Sequence, residues 1–298
     1  MMRSAEMTFP NLAPAHAERP HCLAVAGASD VGKVRERNED HFVVAELGRY
    51  VRIESTNFED PRRRDRVEVP CATLLGVADG MGGHAGGQMA SASALDTVVG
   101  DVVARFPHVV GDTDEDRRAL LQHMAQMALD AQERVQATAT RKGVVGGHPG
   151  TTLTVALLYG RRALLMHVGD SRAYLVRGGQ ATRLTHDHTV GEQMRARGIE
   201  VSSRFDGVLV NAIGGSSEAP TPELVDLALE EGDTLVLLTD GVTGYLADAE
   251  LGPLVSRHEA SPEGSQAICA AMIATALDRG GGDNATVVVA RVVRSAGA

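Results

Sequence analysis

Five short stretches hold the residues best suited to chemistry: RNED at 37–40, ADGMGGH at 78–84, VGDSR at 168–172, LTDG at 238–241 and GGDNAT at 281–286. Four of them set an aspartate against apolar, strand-like residues. Asp79 follows 74–78, Asp170 follows 164–168, Asp240 follows 235–238, and Asp283 precedes 285–289. A carboxylate at the end of a buried strand is costly unless its charge is compensated. One such aspartate is ordinarily a turn residue. Four of them, each beside a glycine, point to a shared cation. Hard divalent cations take oxygen ligands, and magnesium keeps several of its own waters. Carboxylates from distant segments, with no partnering His or Cys, therefore indicate magnesium or manganese.

The elements that must carry these acids follow from hydrophobic periodicity. Strands are expected at 22–28, 41–45, 72–78, 151–159, 162–168, 172–176, 181–184, 223–229, 234–239 and 285–292. Helices are expected at 86–106, 114–140, about 190–197 and 261–278. The long helix carries Leu120, Met124, Met127, Ala128, Ala131 and Val135 on one face, with Asp114 as its cap. Ser261 suits the N-cap of the last helix and Pro262 its first position. Helices and strands do not alternate, which disfavours a doubly wound parallel sheet. The expected class is α+β, a four-layer sandwich of two largely antiparallel sheets flanked by helices. Residues 1–20, polar with three prolines, read as a disordered leader. Residues 21–295 read as one domain, with a charged insert at about 48–70 that forms a loop or an extended hairpin.

Composition narrows the function. The 298 residues are 43% hydrophobic and carry a formal net charge of -10, which argues against nucleic acid as a general partner. Three cysteines at unrelated spacings give neither a disulfide framework nor a zinc motif, so a reducing, cytoplasmic setting is expected. No apolar run approaches a membrane-spanning length. None of the cysteines begins a Cys-x5-Arg loop, so no thiol nucleophile is indicated.

The ordered set RxxxED at 35–40, DGMGGH at 79–84, GTT at 150–152, VGDSRxY at 168–174, LTxDH at 184–188, TDG at 239–241 and GGDNxT at 281–286 resembles the metal-dependent Ser/Thr protein phosphatases of the 2C type, in their bacterial form. The resemblance runs from about 21 to 293. It implies hydrolysis of phosphoserine and phosphothreonine in proteins by a water activated at a binuclear manganese or magnesium centre. By that resemblance Asp79 bridges both cations, with the Gly80 carbonyl beside it, and Asp240 and Asp283 complete the ligand set. Asp40 binds directly or through water. Glu39 is either its fellow ligand or part of a solvated loop. Arg35 stands where the family holds its phosphate-binding arginine, and a guanidinium fork matches two phosphoryl oxygens. Arg37 competes for that role by proximity.

Asp170 matches a third-metal ligand of bacterial members, with a structural pairing to Arg172 as the alternative. Family members often carry an Asp at the position of Gly244, so a third ion is expected to be weak or absent here. Met81 stands near where animal-type relatives place a histidine proposed as general acid, and His84 lies three residues on. His186 and His188 bracket Asp187, which suggests either zinc or the start of a flap over the site. The expected partners are phosphorylated Ser/Thr proteins and a cognate Ser/Thr kinase, with the chain itself a monomer. A fold that has kept its shape but lost turnover, as a regulatory module, is the alternative function. A two-metal phosphodiesterase is disfavoured by the acidic surface.

Overall fold

The computed structural model describes residues 22–48, 50–52, 65–67, 72–82, 85–105, 113–144 and 149–293. The chain begins with β1 (Cys22–Asp30), β2 (His41–Leu47), β3 (Tyr50–Arg52), β4 (Asp65–Val67), β5 (Ala72–Ala78) and β6 (Gly80–Met81). Two long helices follow, α1 (Ala85–Arg105) and α2 (Asp114–Arg141). Then come β7 (Gly150–Thr151), β8 (Leu153–Tyr159), β9 (Arg162–Val168), β10 (Arg172–Arg177), β11 (Gln180–Arg183) and α3 (Val190–Ala196). The chain continues through β12 (Ile213–Gly214), β13 (Glu223–Ala228) and β14 (Thr234–Leu238). It closes with α4 (Asp240–Thr243), α5 (Asp248–Ser256), α6 (Pro262–Asp278) and β15 (Ala285–Val293).

Two five-stranded antiparallel sheets form the centre, in the orders β1-β15-β14-β10-β11 and β13-β9-β8-β5-β2. Three apolar clusters define the layers. Alternate residues of a strand face opposite sides, and β5 shows the consequence. Ala72, Leu74 and Ala78 join the cluster under α1 and α2, while Leu75 and Val77 join the cluster between the sheets. On the other side, Val236 and Leu238 of β14 face α4, α5 and α6, while Leu235 and Leu237 face the facing sheet. Strands covered on both faces read as unbroken apolar runs, which explains the fully buried pattern of β5 and β14. The four-layer α+β sandwich is thereby established.

Several local expectations change. The cap of α2 is Thr113, not Asp114: its hydroxyl accepts from the Asp116 amide, and the Asp116 carboxylate accepts from the Thr113 amide. The strand expected at 234–239 stops at Leu238, because Thr239 caps the four-residue α4. Helices α4 and α5 carry no readable period: one is a single turn, and the other contains Pro253. In the insert, β3 and β4 pair antiparallel with Tyr50 opposite Val67, as the hairpin alternative requires. The rest of the insert, the leader at 1–20 and His84 lie outside the described residues.

Candidate active site

Antiparallel pairing brings the acids together. The end of β5 pairs with the start of β2, and the start of β8 with the end of β9, so 40, 79, 152 and 170 share one edge of their sheet. In the other sheet the end of β1 meets the start of β15, and the end of β14 meets the start of β10. That places 240 and 283 at the same edge as 170, which joins the sheets between β9 and β10. A cleft of about 520 Å³ opens there. Arg35, Arg37, Glu39, Asp79, Gly80, Met81, Asp170, Asp240 and Asp283 all line it.

The backbone at Asp79 is held from the GTT segment. The Asp79 amide donates to Thr152 Oγ1 at 2.9 Å, and its carbonyl accepts from the Thr151 hydroxyl and the Thr152 amide, both at 2.9 Å. Gly80 is required by packing, since a Cβ there would meet the Gly87 carbonyl oxygen of α1 at 2.3 Å. Asp40 lies beneath the cleft, only 5% exposed. Its Oδ2 accepts from the hydroxyls of Thr239 at 2.8 Å and Thr286 at 2.7 Å. Its other oxygen, Oδ1, is buried without a hydrogen-bond partner, and so is Oδ1 of Asp240.

The electrostatics are those of buried acids crowded together. Burial, reinforced by Asp240 and then Asp40, pushes the Asp79 carboxyl well above its ordinary range. Burial raises Asp40 to about 7 against the pull of its two threonine hydroxyls, and burial raises Asp170 to about 7 with help from Asp240 and Asp187. Asp240 is raised by burial as well. Arg35 supplies positive charge at the cleft: its Nη2 lies 2.5 Å from Asp283 Oδ2, and that hydrogen bond raises the guanidinium further. Orphaned buried carboxylate oxygens and mutually repelling acids suit oxygen-loving divalent cations. Asp40, Asp79, Asp240 and Asp283 could hold them, with Asp170 to one side.

Asp170 does not pair with Arg172. That guanidinium forks onto Asp187, at 3.0 Å from Nε to Oδ1 and 2.7 Å from Nη2 to Oδ2. Gly244 caps α4, its amide donating to the Asp240 carbonyl at 2.8 Å. The segment after Asp187 contributes to the lining of the cleft. Val190 and Val210 bond to Val208 and His188 across that segment, and Gly207 and Leu209 reach the cleft. His186 Nδ1 sits 2.8 Å from Glu223 Oε1. His188 and Glu223 instead approach His167, on β9, close enough for a shared ion. Both His167 nitrogens already have partners, Thr154 Oγ1 at 2.8 Å and the His186 carbonyl at 3.0 Å, and burial lowers its pKa to about 3. A zinc reading thus has little to bind. Thr239, Thr286 and Asn284 were not singled out from the sequence. Their letters in the TDG and GGDNxT motifs were the signal that could have flagged them.

The protein phosphatase 2C family profile matches residues 63–278. The Mycobacterium tuberculosis serine/threonine protein phosphatase PstP is 31% identical over 276 residues, which are 91% of this chain and 45% of that protein. This chain thus spans about half the length of that relative. Streptococcus pneumoniae protein phosphatase PhpP is 26% identical over 272 residues, 90% of this chain and 96% of PhpP. The catalytic domain of PstP, solved in complex with two manganese ions, superposes with a TM-score of 0.68 at 28% identity, covering 91% of this chain and 99% of that one. A likeness that spans both sheets and the acid-lined edge between them places this chain in the protein phosphatase 2C family.

Proposed function

We propose that this chain hydrolyses phosphoserine and phosphothreonine in proteins, using two divalent cations, manganese or magnesium. The observation that carries this is the convergence of Asp79, Asp240 and Asp283 at one cleft beside Arg35, with buried oxygens of Asp40 and Asp240 lacking partners. The two-manganese complex of the PstP catalytic domain supports the choice of cofactor. Bound there, the cations would supply Lewis-acid polarisation of the phosphoryl oxygens and an acidified water as nucleophile.

The chain's own residues do the rest. Asp79, Asp240 and Asp283 would hold the cations, and Asp40, its Oδ2 fixed by Thr239 and Thr286, would add its charge to theirs. The Arg35 fork binds two phosphoryl oxygens and spreads their charge as the leaving alkoxide departs. Met81, which lines the cleft, offers no proton. Phosphorylated Ser/Thr proteins are the substrates, a Ser/Thr kinase the functional counterpart, and a cytoplasmic monomer the working form. Residues 21–295 act as one catalytic domain. Among the described residues no helix is long and apolar enough to cross a membrane.

The test is hydrolysis of p-nitrophenyl phosphate and a phosphothreonine peptide with manganese, with EDTA, and after Asp79→Asn. Turnover should need the metal and fall at least ~100-fold in the variant. Equal rates in EDTA would sink the metal-dependent reading. A folded, metal-binding protein without turnover would favour the regulatory module instead.

A further inference from the structure

Asn284 follows Asp283 and is 5% exposed. Its side chain makes three hydrogen bonds, all to the backbone of the loop between β1 and β2. Nδ2 donates to the carbonyls of Val31 and Arg37, each at 2.9 Å, and Oδ1 accepts from the Glu39 amide at 2.8 Å. The partners fix the amide's orientation, because a flipped side chain would set its oxygen against two carbonyls. These contacts bracket Arg35, with Val31 before it and Arg37 and Glu39 after it. Two further contacts seat the same loop. The Lys33 amide donates to the Gly281 carbonyl at 2.7 Å. Gly32, at φ +78, lets the Asp283 carbonyl oxygen come within 2.3 Å of where a Cβ would stand.

The Arg35 side chain has no such support of its own: it is 55% exposed and pairs with Asp283. An exposed ion pair holds a long side chain weakly. The direction in which its guanidinium points must therefore come from the backbone that carries it. We propose that Asn284 is a positioning residue for Arg35, registering the phosphate-binding loop against the strand end that bears Asp283. This inference rests on the phosphatase reading for the role of Arg35. It adds that one buried amide couples the phosphate-binding half of the site to the cation-binding half.

The experiment compares the parent, Asn284→Ala, Asn284→Ser, Arg35→Ala and the Asn284→Ala/Arg35→Ala double variant at saturating manganese. KM and kcat are read on p-nitrophenyl phosphate, Ki is read for inorganic phosphate, and melting is followed by circular dichroism. A misplaced binding group costs roughly 10–100-fold. Asn284→Ala should raise KM and phosphate Ki about tenfold while kcat falls less than about threefold, and Asn284→Ser should lie between it and the parent. Residues acting through one another are non-additive. In the Arg35→Ala background the same change should therefore move kcat/KM by no more than about twofold.

A loss confined to kcat, or a full additive loss in the double variant, would overturn the proposal. So would failure of both Asn284 variants to melt cooperatively, which would make Asn284 a folding residue. If the parent itself does not hydrolyse p-nitrophenyl phosphate, the phosphatase reading falls separately. Calorimetry of inorganic phosphate on the manganese-loaded proteins then decides the Asn284 assignment by the same non-additivity.

Discussion

Asp40→Asn should move stability in opposite directions with and without metal. In the metal-free protein burial raises the Asp40 carboxyl from 3.8 to about 7. The native state therefore keeps a proton that the unfolded chain releases near pH 4. Between about pH 4 and 7 the native state binds more protons, so stability falls as pH rises, and above 7 the whole cost is present. That rise corresponds to ~4 kcal/mol. Asn carries no charge at any pH and removes that cost. Its Oδ1 can still accept from Thr239 and Thr286, but its Nδ2 falls where Asp40 Oδ1 has no partner. An orphaned buried amide costs ~1–3 kcal/mol.

The net gain at pH 8 in EDTA is then about 1–3 kcal/mol. For a domain of this size it raises Tm by about 2–10 °C. Near pH 5 the parent is already protonated and the two proteins should converge. Manganese reverses the order. A cation at about 100 times its Kd adds ~2.7 kcal/mol to the parent, and the variant, with one carboxylate fewer, should gain much less. Differential scanning calorimetry at pH 5 and 8, in EDTA and then in manganese, reads all four states. A variant that melts below the parent at pH 8 in EDTA would refute the idea that the Asp40 charge is a native-state cost.

Arg35→Ala should raise KM for a phosphopeptide more than it lowers kcat, because the fork grips phosphate in ground and transition states alike. Its pair with Asp283 is half-exposed, so the melting temperature should stay within about 3 °C, as a surface pair worth about 0–1 kcal/mol requires. A pure kcat loss would assign Arg35 to charge that develops in the transition state. Calorimetric titration with manganese up to about 1 mM should find two ions per chain. With Gly244 in place of a second acid, Asp170 offers a third ion too little charge. A third ion in that range, lost in Asp170→Asn, would overturn this.

What could be read from the sequence, and what could not, divides by the range of the interactions involved. Asp79, Asp240 and Asp283 stand beside apolar runs that are strands for local reasons, so their place at strand ends was visible. Asp40 was not visible as a buried group, because its neighbours Arg37, Asn38 and Glu39 are polar. Its burial comes from Thr239 and Thr286, some 199 and 246 residues away. The same holds for the threonine hydroxyls and the Asn284 amide. A short polar side chain gives no periodic signal, and its partner is chosen by the sheet. The cap of α2 was missed by one residue, since both Thr113 and Asp114 are capping types and only the capping-box geometry separates them.

The strands that carry the acids also explain why the fold tolerates them. Leu235, Leu237 and Leu238 of β14 are 1%, 0% and 0% exposed immediately before Asp240. Each buried leucine contributes roughly 1.5–3 kcal/mol relative to exposure. Three of them exceed the ~4 kcal/mol that the Asp40 charge costs in the metal-free state. β5 does the same before Asp79 with Leu74, Leu75 and Val77. The acids therefore stand at the ends of strands whose own burial fixes where those ends lie. The three apolar layers thus place unfavourable charge where a bound divalent cation would offset it.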